Sequence, residues 1–153
     1  MADAWRIVKA RHASTAFSGE GARLYGGRWT SKGRRAVYVS STASLATLEI
    51  VVHVESPALL SSYSLIPVGI PGRLIHRLDP TLLPAGWESF PAPASLQRLG
   101  DAWLDNRRSP ALAIPSAIVP SELNYLLNPE HADFSKLTIG KSQPYKLDPR
   151  LTP

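Results

Sequence analysis

The sequence predicts an α+β fold, and three observations carry that expectation. Several short runs rich in β-branched and aromatic residues read as strands. Two longer stretches have the apolar spacing of helices. The chain has 153 residues, 44% of them apolar, which fits one globular domain spanning residues 1–153 with a sizeable core. Disorder, if any, is expected only at the tip of a Pro-rich stretch over residues 80–93.

Taken in order, residues 5–9 (WRIVK) read as a strand. Residues 14–33 are rich in glycine and polar side chains and read as a loop able to approach a ligand closely. Residues 36–40 (AVYVS) form a second strand. Ser40 to Thr42 supply an N-cap, and residues 42–54 follow as a helix whose buried stripe is expected at Leu45, Leu48 and Val52. Residues 63–68 and 74–78 read as strands on either side of a Gly-Ile-Pro-Gly turn. After the Pro-rich loop comes a second helix over 95–107, with Leu96, Leu99 and Trp103 on one face. Residues 111–114, 124–127 and 137–139 are the remaining strand candidates.

Composition excludes several chemistries. There is no cysteine, so disulfides, thiolate nucleophiles and Cys-based zinc sites are out. The four histidines, His12, His53, His76 and His131, form no HExxH motif, and no metal is expected. No apolar run approaches bilayer length. The first residues carry Asp3, Arg6, Lys9 and Arg11 and no apolar signal core, so a cytoplasmic location is expected. The net charge of +5 favours anionic partners, but the basic residues are scattered, with pairs only at Arg34-Arg35 and Arg107-Arg108.

Glu49 is the most informative residue. On the predicted helix it falls beside the buried stripe, where a carboxylate is costly unless paired or hydrogen-bonded. An ion pair with an arginine and a catalytic task both satisfy that demand. His53 lies one turn further on the same face. Gly26-Gly27-Arg28-Trp29 sets an arginine, suited to bidentate phosphate contacts, beside an aromatic ring that stacks on a base or packs in the core. Tyr38 sits mid-strand soon after. Ser116 follows Pro115, outside any Gly-x-Ser-x-Gly elbow, and Asn124 follows Pro120-Ser121-Glu122-Leu123. Both suit either ribose or amide contacts, or turn chemistry.

The order of these pieces resembles the RES domain family. The pieces are Gly26-Gly27-Arg28-Trp29, Tyr38, Ala46-Thr47-Leu48-Glu49 with His53, Pro115-Ser116, and Asn124-Tyr125-Leu126-Leu127-Asn128-Pro129. The family is named for its Arg, Glu and Ser, matched here by Arg28, Glu49 and Ser116. Phe17 to Arg23 and Leu147 to Leu151 resemble its flanking segments. The resemblance implies a compact fold like that of the ADP-ribosyltransferase toxins, with small β-sheets around a central NAD-binding cleft. It implies a toxin of a toxin–antitoxin pair that depletes NAD⁺ by cleaving the nicotinamide–ribose bond, as a glycohydrolase or phosphorylase. An ADP-ribosyltransferase modifying a protein such as phosphoribosyl pyrophosphate synthetase is the alternative. Glu49, Arg28 and Tyr38 would be catalytic; Arg28, Trp29, Tyr38, Ser116 and Asn124 would contact NAD⁺; His53 would support them. The partner implied is an Xre-like antitoxin covering the cleft, with nucleic acid met only through the antitoxin. A ribonuclease toxin would also be small and basic, but no element here interleaves aromatics and arginines as a nucleic-acid platform does. A pure binding module, with Glu49 in a structural ion pair, is the other rival.

Overall fold

The computed structural model describes residues 1–53 and 62–151. The strands are β1 (Ala2–Lys9), β2 (Val37–Ser40), β3 (Tyr63–Ile70), β4 (Ile75–Arg77), β5 (Ala111–Pro115), β6 (Leu123–Leu127), β7 (Thr138–Ile139) and β8 (Gln143–Tyr145). The helices are α1 (Glu20–Tyr25), α2 (Ala43–Val51) and α3 (Ala94–Asn106). The α+β expectation holds. The small sheets, however, are joined: all eight strands belong to one sheet, ordered β4-β5-β6-β2-β1-β3-β7, with β8 also on β3.

The join is narrow. β1 pairs with β3 along its whole length, from Ala2↔Ile70 to Lys9↔Tyr63. β2 pairs with β6 throughout, from Val37↔Leu127 to Ser40↔Asn124. Between β1 and β2 the register holds a single pair, Trp5↔Ser40. The backbone left unpaired at this seam needs other partners, and Arg6 provides one. Its Nη1 donates to the Tyr38 carbonyl at 2.8 Å and its Nε to the Ala16 carbonyl at 2.7 Å. Burial pulls the Arg6 guanidinium down to about 10, which leaves it fully charged at neutral pH.

Alternation along the strands divides the core. Leu112, Ile114 and Leu126 face α3 and pack with Leu96, Trp103 and Leu104. Ala111, Ala113, Tyr125 and Leu127 point the other way, into a cluster with Val37, Val39, Val68 and Ile70. Both faces of β5 and β6 are thus covered. The predicted face of α3 is correct at Leu96 and Trp103, both buried, with Leu99 packed beside them.

Other expectations need correction. Residues 14–33 are not all loop. EGARLY forms α1, opened by Ser18 Oγ accepting from Glu20 N–H, and the glycines at 19, 21 and 26 disguise it. α2 starts as expected, with Thr42 Oγ1 accepting from Leu45 N–H at 3.0 Å. Its buried residues are Leu45, Ala46 and Thr47, while Leu48 and Val52 are exposed. A helix this short rests on the sheet by one narrow strip, and Ala46 packs there against Ile7 and Tyr63. The predicted helix end at Val54 lies outside the described residues. β8 went unpredicted because Gln143-Pro144 lacks strand character. The Pro-rich stretch is seated, with Leu83, Trp87 and Ala92 packed against the α3 cluster.

Candidate active site

The β1–β2 seam opens into a cavity of about 690 Å³. Trp5 and Arg6 of β1, Tyr38 and Ser40 of β2, and Asn124 of β6 line it. Glu49 and His53 border it from α2 and the turn after it. Gly27, Arg28 and Trp29 border it from the loop after α1, and Phe90 to Ala92 from the Pro-rich stretch. The volume is ordinary for a small-molecule or cofactor site.

Glu49 is half-buried and no cation pairs with it among the described residues. Its Oε1 accepts from two neutral donors, Asn124 Nδ2 at 2.7 Å and Ser116 Oγ at 2.8 Å. Each donor is itself fixed. Ser40 Oγ donates to Asn124 Oδ1 at 2.7 Å. Ser116 Oγ accepts from the Ile118 and Val119 N–H groups, both at 3.1 Å. The result is a carboxylate aimed by two neutral donors. The ion-pair reading of Glu49 is therefore not what the structure contains.

Ser116 differs from its expected place. It is fully buried and does not line the cavity, because β5 ends at Pro115 and turns the serine inward as a cap for the Ile118 and Val119 N–H groups. Its hydroxyl reaches Glu49 instead of the cavity.

Arg28 borders the cavity with one edge of its guanidinium engaged. Nη1 donates to the Ser89 carbonyl at 2.9 Å and the Trp87 carbonyl at 3.1 Å. Nε and Nη2 have no partner among the described residues. The loop carrying Arg28 is clamped from α3, where Gln97 Nε2 donates to the carbonyls of Gly27 and Thr30. Trp29 is 2% exposed within the α3 cluster. It supports the cavity wall from the core, and its backbone N–H donates to Tyr38 Oη at 3.2 Å.

Tyr38 is anchored at its far end. Its hydroxyl also bonds Thr30 Oγ1 at 2.7 Å, and burial pushes the phenol up to about 12. The ring lies so close to Gly27 that a Cβ there would overlap the Tyr38 hydroxyl, so the second glycine of the Gly-Gly-Arg-Trp run is required by contact. His53 is exposed at the cavity edge.

Arg6 and Gln97 are the functional-site residues that pattern reading passed over. The available signal at Arg6 was a charge set between Trp5 and Ile7 in an apolar strand. Among the described residues, no group of three His, Asp or Glu side chains converges as a metal site. No described helix is long and apolar enough to cross a membrane.

A family model described as RES domain matches residues 3–148. A curated relative named Toxin Res, from Yersinia enterocolitica, is 41% identical over 149 residues, covering 96% of this chain and 97% of the relative. The Prs ADP-ribosylating toxin of a Sphingobium species is 36% identical over 152 residues, covering 96% of this chain and 94% of the relative. Among solved structures, the M. tuberculosis MbcT–MbcA toxin–antitoxin complex contains a chain of the same fold. It has a TM-score of 0.79 and 20% identity, with 97% of this chain and 85% of that one covered. The chain belongs to the RES domain family.

Proposed function

We propose that this RES-family toxin cleaves the nicotinamide–ribose bond of NAD⁺ and passes the ADP-ribosyl group to water or phosphate. The observation that carries this reading is Glu49, a carboxylate in a cavity that, among the described residues, is held by neutral donors and no cation. Breaking the bond sends its electron pair to nicotinamide, which leaves neutral, and positive charge develops on the ribose. A fixed negative group stabilises that charge as it forms. Water or phosphate then bonds to the same carbon, and an attacking water loses its proton to solvent.

The other roles follow from position. Asn124 and Ser116 hold Glu49 in place, so Ser116 acts through the carboxylate and Asn124 both aims it and faces the ligand. Tyr38, tethered by its hydroxyl, presents its ring to nicotinamide. The open edge of Arg28 takes the pyrophosphate. Trp29 backs the wall, and His53 at the edge supports the Glu49 end. NAD⁺ is the substrate, and no metal is assigned a role.

A second reading keeps the same bond cleavage and sends the ADP-ribosyl group to a protein. It is favoured by one observation, the 36% identity to a toxin whose name states that it ADP-ribosylates Prs. In either case the toxin works in the cytoplasm beside an Xre-like antitoxin that covers the Arg28 side of the cleft and meets DNA on its own account. Incubating purified toxin with NAD⁺, with and without phosphate and cell extract, tests the proposal. Free nicotinamide is expected, together with ADP-ribose, ADP-ribose phosphorylated at the anomeric carbon, or a labelled protein. NAD⁺ left intact under all these conditions would contradict it.

A further inference from the structure

Phe90 has no core role in the described structure. It is 84% exposed, the most exposed large apolar side chain among the described residues, yet it borders the cavity. Scattered exposed apolar residues are ordinary on protein surfaces. This one differs because the chain around it is held on both sides. Leu83 and Trp87 before it, and Ala92 after it, pack against the α3 cluster. Turn bonds run from Trp87 N–H to Pro84 and from Ser89 N–H to Gly86. The carbonyls of Trp87 and Ser89 are the two that hold Arg28. The ring is thus carried at the mouth of the cavity by an anchored segment, next to the guanidinium proposed to bind pyrophosphate.

We infer that Phe90 is the stacking platform for the adenine of the dinucleotide, an inference that rests on the NAD⁺ reading above. Glu49 and Tyr38 fix the nicotinamide end inside the cavity. With the pyrophosphate on Arg28, the second nucleoside lies on the mouth side, one ribose away from the arginine and within the span of the Phe90 segment. A purine offers a broad π face, and stacking on an aromatic ring recognises that face without reading its edge. Phe90 therefore sets a preference for a dinucleotide over a mononucleotide, and tolerates adenine, guanine or hypoxanthine alike.

The test uses Glu49→Gln protein so that NAD⁺ stays intact during equilibrium titration. Adding Phe90→Ala or Phe90→Leu should weaken NAD⁺ binding about tenfold, while Phe90→Tyr should restore it. Binding of nicotinamide mononucleotide, which lacks adenine, should be the same in all four proteins. Equal NAD⁺ affinity with and without the Phe90 ring would overturn the inference. So would rescue by leucine, or an equal loss for the mononucleotide. Unchanged NAD⁺ binding with weakened antitoxin binding would reassign Phe90 to the partner interface. Nicotinamide release by the unmodified toxin, measured alongside, reports separately on the NAD⁺ reading. Melting temperatures exclude misfolding, and Phe90→Tyr keeps the test usable if the smaller variants fail to fold.

Discussion

Two charged groups of the cavity, Glu49 and Arg28, are held in opposite ways. Glu49 takes both of its bonds from side chains on or beside β5 and β6, the strands buried on both faces. Arg28 gives its bonds to backbone carbonyls of a Pro-rich segment on the surface. A carboxylate that must meet a developing cation gains from rigid aim, because misplacement costs transition-state stabilisation directly. A cation that binds phosphate need only present an open edge, and a surface segment suffices to hold it. On the proposed reading, the Glu49 end serves chemistry and the Arg28 end serves binding.

This contrast orders the expected effects of mutation. The largest is at Glu49, where the Gln variant should lose turnover by about 10²–10³-fold while still binding NAD⁺. Next is Arg28→Ala, expected to weaken NAD⁺ affinity by about 1.5–3 kcal/mol, read by titration. Its melting temperature should fall little, since one of the two carbonyls it holds, that of Ser89, lies at the exposed surface where water replaces the bond. A matched loss of stability would make Arg28 a structural strut and erase the contrast. Asn124→Ala removes one of the two bonds aiming Glu49, and kcat should fall about tenfold with KM little changed. An effect confined to KM would place Asn124 at the ligand alone.

The smallest effect on turnover is at Tyr38, where the change acts on stability. Tyr38→Phe keeps the ring but leaves Trp29 N–H and Thr30 Oγ1 without their partner, costing about 1–3 kcal/mol of stability. The phenol is held up to about 12 in the folded protein against 10.0 when unfolded. That contribution to stability is fully present below pH 10 and fades as pH rises through 12. Denaturation across this window should be steeper with pH for the parent than for Tyr38→Phe. Identical pH slopes would mean that the phenol is not buried as described.

Much of the site could be read from the chain because its residues cluster in short motifs. Gly26-Gly27-Arg28-Trp29 lies in a stretch read as able to approach a ligand closely, and at Gly27 the close neighbour in the structure is the Tyr38 ring. Glu49 was marked by its place beside the stripe predicted for α2, of which Leu45 is buried. What joins Glu49 to Ser116 and Asn124 is the sheet order, which brings together residues 67 and 75 apart in sequence. No local pattern encodes that meeting, so Ser116 was expected at the ribose or carboxamide, or in turn chemistry, and not behind the carboxylate. Arg6 was hidden for a related reason: its value lies in a seam where two strands part, and a seam has no periodicity of its own. The stripe on α2 failed because Leu48 and Val52 extend the helical spacing beyond the strip that the sheet covers.

The most direct test compares the unmodified toxin with Glu49→Gln in one preparation, following nicotinamide release, NAD⁺ affinity and melting temperature together. The amide oxygen of glutamine can accept from Ser116 and Asn124 as Oε1 does now, so shape and contacts survive while the charge is lost. The account predicts a variant that melts at or slightly above the parent temperature, binds NAD⁺, and releases nicotinamide 10²–10³-fold more slowly. A stable variant that binds NAD⁺ and turns it over at the parent rate would contradict the assignment of Glu49.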